Sequence, residues 1–323
     1  MSTSQAGSAE NATRLLFVTG AIKTATSSVL AALNAHPDVL LLYEAQLFAD
    51  PPTRRGAEFL AAYPEARPYF RPATDYATLY EEFAEWLAGS GHVYSIVGDK
   101  IPSLSVEVLV RLGARPVIYC VRDVRTWVAK TRGPRGYVVD ADVVPAAVQY
   151  CVHFLESLKL ERRLHVATER FVEDNVAVVA EITRFAGLDR HAATSTWWKG
   201  VGATGQTDPK SAIRWWDGSH FSSRVEPDQR DTVVRLRSHP FWGELLPVFD
   251  RYYTALNTEI GAGRLDDDIR FIESLRHRGP VSLDDAYERI AVTPVGRPRR
   301  PSTARMLSRV GRRVIPGRPA PRL

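Results

Sequence analysis

Residues 14–28, RLLFVTGAIKTATSS, constrain this chain more than any other stretch. The apolar run Leu15-Leu16-Phe17-Val18 has the length of a buried strand. Gly20 breaks the run; Lys23 follows, and then Thr24, Ala25, Thr26, Ser27 and Ser28. The next residues, VLAALNAH, read as a helix, so Ser and Thr fall where helix N-caps belong. Strand, tight turn, hydroxyl-rich helix start and one lysine together make an anion cradle. Backbone N–H groups and the helix dipole face the bound group, and Lys23 adds a full charge.

Further apolar runs at 39–43, 92–97, 116–121 and 165–168 read as strands. Residues 75–88 read as an amphipathic helix, with Tyr76, Leu79, Tyr80, Phe83, Trp86 and Leu87 on one face. Residues 126–131, 141–163 and 173–185 also read as helices, and 226–277 looks helical. Residues 50–74 are rich in Pro, Arg and aromatics and read as a long irregular excursion of the kind that covers substrates. Residues 195–222, with Trp197, Trp198, Trp215 and Trp216, read as a second one. Strands alternating with helices imply an α/β fold, a central parallel sheet flanked by helices. Ligands then bind beyond the carboxyl ends of the strands. Lys23, Glu44, Lys100 (in a loop at 98–102) and Arg122 each follow an apolar run, so they are expected to converge on that edge.

The 323 residues suffice for one large α/β domain or two small ones. The net charge of +5 hides an asymmetry: 291–323 carries nine Arg and no acid, and +5 less nine leaves −4 for the rest. A mildly acidic body does not suit a nucleic-acid-binding face, so no nucleic acid partner is expected. Cys120 and Cys151 give neither a disulfide framework nor metal-ligand spacing. Residues 1–13 are polar, lack an early basic cluster and are expected to be disordered; no run approaches the ~20 apolar residues of a membrane span. A cytoplasmic protein is expected, with one domain over 14–290 and a basic tail at 291–323. Within the tail, 302–315 can form a short basic amphipathic helix, with Met306, Leu307, Val310 and Val314 on one side. Such a helix suits peripheral contact with an anionic membrane or a protein.

The loop at 20–28 is not a Walker P-loop, which needs G-x-x-x-x-G-K-[ST]; no second Gly precedes Lys23. Instead, GAIKTATSSVLAALNAHPDV resembles the phosphosulfate loop of PAPS-dependent sulfotransferases, G-x-x-[KR]-S-G-T-[ST]-x-L. PVIYCVRDVRTWVAKT resembles their 3′-phosphate segment, a strand followed by V-R-D-P-x-[DE]-x-x-x-S. VGDKIP resembles their G-[ED]-K-x-P loop, and ATERFVEDNVAVVAEITRFAGL their segment beginning Y-E-x-L. The four lie in the family's order across residues 14–190. HPDVLLLYE is similar to the tyrosylprotein and carbohydrate enzymes, in which a Glu after the His is the base.

The resemblance implies a P-loop-NTPase-like sulfotransferase architecture. It implies that Lys23, Thr24, Ala25, Thr26, Ser27 and Ser28 hold the 5′-phosphosulfate of 3′-phosphoadenylyl sulfate (PAPS). Arg122, with Lys130 or Thr131, then holds the 3′-phosphate, whose charge of about −1.5 to −2 suits a bidentate guanidinium. Lys210 and Arg214 would close over the cofactor. Glu44 is the expected base, part-desolvated at a strand end, with His36 its rival. Lys23 stabilises the leaving group, and Lys100 holds the sulfate or the acceptor. The expected acceptor is a small-molecule, sugar or natural-product hydroxyl, the coproduct is PAP, and no metal is implied. The chain departs from the family at Ala25 (usually Gly), Val124 (Pro), Lys130 (Ser) and Thr168 (Tyr). Gln46 stands where tyrosylprotein enzymes tend to have Arg. Two other classes stay open: a P-loop-type nucleotide or small-molecule kinase, and a non-catalytic member of the fold acting as a scaffold. The oligomeric state is left open.

Overall fold

The computed structural model describes residues 13–103, 105–131, 143–192, 194, 197, 209–212, 232–258, 262–282, 285 and 287–291. The chain alternates as expected: β1 (Arg14–Gly20), α1 (Thr26–Asn34), β2 (Val39–Tyr43), α2 (Arg54–Ala62), α3 (Tyr76–Gly89), β3 (Ile96–Pro102), α4 (Val106–Leu112) and β4 (Val117–Val121). There follow α5 (Val124–Thr131), α6 (Val144–Ser157), β5 (Arg163–Ala167), α7 (Thr168–Glu173) and α8 (Asn175–Phe185). The last described elements are β6 (Thr232–Leu236), α9 (Pro240–Thr254), α10 (Ala262–Ser274) and β7 (Tyr287–Ala291).

Five strands form one all-parallel sheet in the order β2-β3-β1-β4-β5. Burial explains its composition: every residue of β1 from Leu15 on, and all of β4, is buried, as in a sheet covered on both faces. One apolar cluster packs α1, α3 and α8 with the strands; a second gathers α5, α6, α9 and α10 around Tyr119 and Val121. β1 and β4 are neighbours, yet the chain leaves β1 toward β2 and leaves β4 toward β5. That divergence opens a crevice outside their carboxyl ends.

On each edge strand of the sheet one residue is paired by a side-chain amide. On β2, Asn34 accepts from the Leu41 N–H and donates to the Leu41 carbonyl, both at 2.7 Å. On β5, Asn257 accepts from the His165 N–H at 2.7 Å and donates to its carbonyl at 3.0 Å.

Several expectations change. The third strand starts at Ile96 and runs through Pro102, so Gly98, Asp99 and Lys100 belong to the strand and not to a loop after it. The 50–74 excursion contains α2, capped by Thr53, whose Oγ1 accepts from Gly56 N–H, and a 3₁₀ turn over Pro64–Tyr69. The 141–163 helix is shorter, Val144–Ser157. In the 173–185 stretch, Asp174 caps α8 through Ala177 N–H, and α7 stands before it as a separate turn. In the 226–277 segment, Thr232–Leu236 is strand β6, paired antiparallel with β7 more than fifty residues on. The tail beyond 291 and residues 1–12 lie outside the described residues.

Candidate active site

The anion loop fills the turn between β1 and α1. Gly20 has φ +138, and a Cβ there would meet the Cys120 carbonyl oxygen at 2.2 Å, so only glycine fits. Lys23 and Ala25 are left-handed, with φ 67 and 66. Such residues cost on the order of 1–3 kcal/mol each and persist where their surroundings enforce them. Part of that enforcement comes from buried Thr24, whose Oγ1 donates to the Ala21 carbonyl at 2.6 Å. The expected Ser/Thr cap is absent: the N-cap of α1 is Ala25, with no side-chain cap hydrogen bond. The first N–H groups of a helix have no intrahelical acceptor, and here no capping side chain takes them. An uncapped, left-handed entry is the form in which a helix start can serve an anion. Lys23 is exposed on the loop, Thr26 is buried in the first turn, and Ser27 and Ser28 are partly buried.

On the neighbouring strand, Arg122 follows β4 directly and is buried at 4% exposure. Burial pushes its guanidinium pKa down, with Glu169 opposing. Its backbone is fixed by Tyr150, which accepts from the Arg122 N–H at 2.8 Å and donates to its carbonyl at 2.5 Å. Tyr150 stacks on Trp127 with ring centroids 4.2 Å apart, and Trp127 Nε1 donates to the Ile22 carbonyl at 2.8 Å. One chain of contacts thus joins the arginine to the anion loop. Neither Trp127 nor Tyr150 stands out in the sequence. Asp123, next to Arg122 in the chain, is engaged with Arg125, which also reaches Asp250.

On the other side of β1, Glu44 leaves β2 in a left-handed conformation, φ 55, and its carboxylate is ion-paired with Lys100. Lys100 is 3% exposed, and its Nζ lies 4.6 Å from the centre of the Tyr43 ring. Burial pushes the Lys100 pKa down, and the Glu44 carboxylate pulls it back up. Tyr43 has a phenol pKa raised by burial and by adjacent Glu44, and it hydrogen-bonds to Ser27 at the start of α1. Beneath the turn lies Asp99, fully buried, whose Oδ2 accepts from the Gln46 N–H at 2.7 Å and the Tyr80 hydroxyl at 2.8 Å. Burial raises its pKa to about 7. Tyr43 and Asp99 are also absent from the sequence-based site, although each sits next to a residue that belongs to it.

Other expected site residues lie elsewhere or outside the described residues. Lys210 is buried at the far end of α1, where its ammonium donates to the His36 and Pro37 carbonyls at 2.7 and 2.9 Å. A cation suits that carbonyl-rich terminus, and a helix length separates it from the anion loop. His36 is at the same end; its Nδ1 accepts from the Asp38 N–H at 3.2 Å, and burial lowers its pKa. It is therefore not beside Glu44. Lys130 and Thr131 close α5, with side chains outside the described residues, as are Arg214, Trp198, Trp215 and Trp216. Trp197 is a packing residue against Phe171. Thr168 is buried and donates to the Val121 carbonyl at 3.1 Å. Among the described residues, no group of three or more His, Cys, Asp or Glu is placed to hold a metal ion, and no helix is long and apolar enough to cross a membrane.

No protein-family model matches the chain, and no curated protein matches it. Among solved structures, the chain is similar to the sulfotransferase domain from the Synechococcus PCC 7002 olefin synthase, at 15% identity and TM-score 0.45, covering 86% of this chain and 100% of that one. It is also similar to sulfotransferase STF9 from Mycobacterium avium, at 17% identity and TM-score 0.43, covering 77% and 78%. Mouse sulfotransferase SULT7A1 complexed with PAP is similar at 12% identity and TM-score 0.34, covering 80% and 89%.

Proposed function

We propose that this chain transfers a sulfuryl group from PAPS to a hydroxyl of a sugar or natural-product acceptor, giving a sulfate ester and PAP. One observation carries the reading: the order of groups along the carboxyl edge of the sheet. Glu44 follows β2, Lys100 lies in β3, the anion loop follows β1, and Arg122 follows β4, on four adjacent strands. Strands lie about 4.8 Å apart, so the row from base to arginine spans roughly three spacings, near 14 Å. That suits a ligand with two anionic ends and a reacting centre beside one of them.

The donor set fits such a ligand. The uncapped start of α1 and exposed Lys23 offer N–H groups and a charge to one anion. Arg122, whose planar fork matches a phosphate, offers them to the other, with Lys130 or Thr131 as its companion on α5. PAPS, when bound, supplies a sulfuryl group already activated on phosphate. The residues of the chain do the rest. Lys23 and the loop N–H groups meet the charge that builds on the leaving side. Glu44 takes the acceptor proton, and Lys100, its ammonium against the Tyr43 ring and paired with the Glu44 carboxylate, holds that carboxylate in place and not the sulfate or acceptor that the resemblance implies. Lys210 has no part in this scheme, because its ammonium is taken up by the far end of α1. The catalytic unit is the 14–290 domain, and a cytoplasmic setting goes with the reduced cysteines.

Calorimetry tests the proposal, with PAP in one arm and ATP with Mg²⁺ in the other. PAP binding is the expected result. Binding of ATP alone would move the protein to nucleotide kinase chemistry, and binding of neither would leave a scaffold. Glu44→Gln is expected to lower turnover by about 10²–10⁴ while leaving PAP affinity within a few-fold, since the change removes proton transfer and no cofactor contact. Undiminished turnover would remove Glu44 from its role.

A further inference from the structure

Two consecutive residues of β3 meet the turn that carries Glu44. Successive side chains on a strand point to opposite faces, so Lys100 and Asp99 reach it from different sides. Lys100 takes the Glu44 carboxylate, and its carbonyl accepts from the Glu44 N–H at 3.0 Å. Asp99 takes the backbone two residues further on, through the Gln46 N–H. Its other partner, Tyr80 on α3, also accepts from the Leu47 N–H at 3.4 Å and packs edge-on to Phe17 of β1, centroids 4.9 Å apart. The carbonyl side of the turn is closed by Thr53, whose Oγ1 donates to Glu44 at 2.7 Å and Ala45 at 3.1 Å.

The turn needs this much holding. Glu44 and Gln46 both have positive φ, 55 and 49, and neither is glycine. Two left-handed residues within three positions relax unless hydrogen bonds on both sides enforce them. Asp99 is 0% exposed in a central strand, a place where a carboxyl is costly unless its bonds have a purpose. A side chain serving only to fill space there would be apolar.

The geometry points to Asp99 as a positioning residue for Glu44: its carboxyl locks the 44–46 turn in left-handed form and so fixes where the Glu44 carboxylate stands against Lys100. The inference rests on Glu44 as the base of the proposed reaction. It deepens that reading by naming what aims the base.

Asp99→Leu and Asp99→Asn separate shape from hydrogen bonding. Leu fills the volume and offers no acceptor; Asn keeps an acceptor for Gln46 N–H and loses the charge. By hydrogen–deuterium exchange mass spectrometry on the apo protein, Asp99→Leu is expected to speed exchange over residues 44–47 by about tenfold or more, the worth of roughly one hydrogen bond. Asp99→Asn is expected to stay within about threefold of the native chain, and exchange at 20–28 should not change in either. The second readout is the titration of Lys100 by NMR, tractable because the chain has only six lysines. The groups that face Lys100 are Glu44, Asp99, Tyr43 and Cys120. Lys100 is expected to titrate lower in the Leu than in the Asn variant, and the difference should vanish in a Glu44→Gln background. Equal exchange, or equal Lys100 titration, in the Leu and Asn variants would overturn the inference. If the Leu variant does not fold, Tyr80→Phe probes the same lock: faster exchange at 44–47 supports it and unchanged exchange refutes it. None of these readouts involves cofactor. Failure of PAP to bind the native chain would overturn sulfuryl transfer without touching the lock, and failure of the lock would leave PAP binding intact.

Discussion

Ala25 holds φ 66 with a methyl group where glycine would sit without strain. The anion loop therefore makes its turn against a local preference, at a cost on the order of 1–2 kcal/mol for a left-handed L-residue. Replacing Ala by Gly in a compatible conformation usually weakens a protein through the unfolded chain, but here the native conformation is the incompatible one and the sign reverses. Ala25→Gly is expected to raise stability by about 0.5–1 kcal/mol in urea titrations, once the entropy of glycine is subtracted. A loss of stability would mean that the methyl packs better than its backbone angle suggests. Gly20 admits no such exchange, because its neighbour is the rigid Cys120 carbonyl and not a movable side chain.

At the level of elements, the loop after β1 and the arginine after β4 are tied together by α5 and α6 through Trp127 and Tyr150. Trp127→Phe keeps an aromatic ring on Tyr150 but deletes the bond to Ile22 and part of the buried indole volume. It is expected to weaken PAP binding about five- to tenfold, the worth of one hydrogen bond near 1 kcal/mol, and to lower the melting temperature through the cavity it leaves. Unchanged affinity would show that the loop holds its shape unaided. The strand-to-loop transitions at Gly20, Glu44 and Arg122 are readable from the chain, because each is an apolar run ended by a glycine or a charged residue. The far end of β3 is not, because Asp99 and Lys100 look like loop residues. Their partners, Gln46, Tyr80 and Glu44, lie 19 to 56 positions away, so no local pattern shows that a central strand tolerates them. β6 is hidden for the same reason, since its partner β7 comes after α9 and α10. Lys210 is drawn to the cofactor by resemblance alone, and the carbonyls that claim it come from the other end of the chain's first helix.

Among the described residues, acid sensitivity falls chiefly on two buried histidines, with His36, also lowered by burial, acting in the same direction. His153 is bonded through Nε2 to the Ser105 carbonyl and through Nδ1 to the Tyr119 hydroxyl, and His165 through Nε2 to Ser157. Burial holds both neutral, His153 at about 4 and His165 at about 3. In the unfolded chain each takes a proton near pH 6.5. Between about pH 6.5 and 4 the unfolded chain thus binds more protons, and stability falls as pH falls. Asp99, raised to about 7, works the other way: it keeps a proton that the unfolded chain sheds above about pH 4, so it lowers stability as pH rises toward 7. Three histidines against one carboxyl give a net loss, on the order of a few kcal/mol, from pH 6.5 to 4.5. Urea titrations at the two pH values should show it, and Asp99→Asn should steepen it; equal stability at both would contradict the assignment. The asparagines at the two margins of the sheet have a consequence of another kind. Asn34 and Asn257 each answer a backbone N–H and C=O that an incoming strand would otherwise seek. Those positions cannot template growth. Copies of this chain that meet at high concentration or during refolding find no ladder to extend at Leu41 or His165.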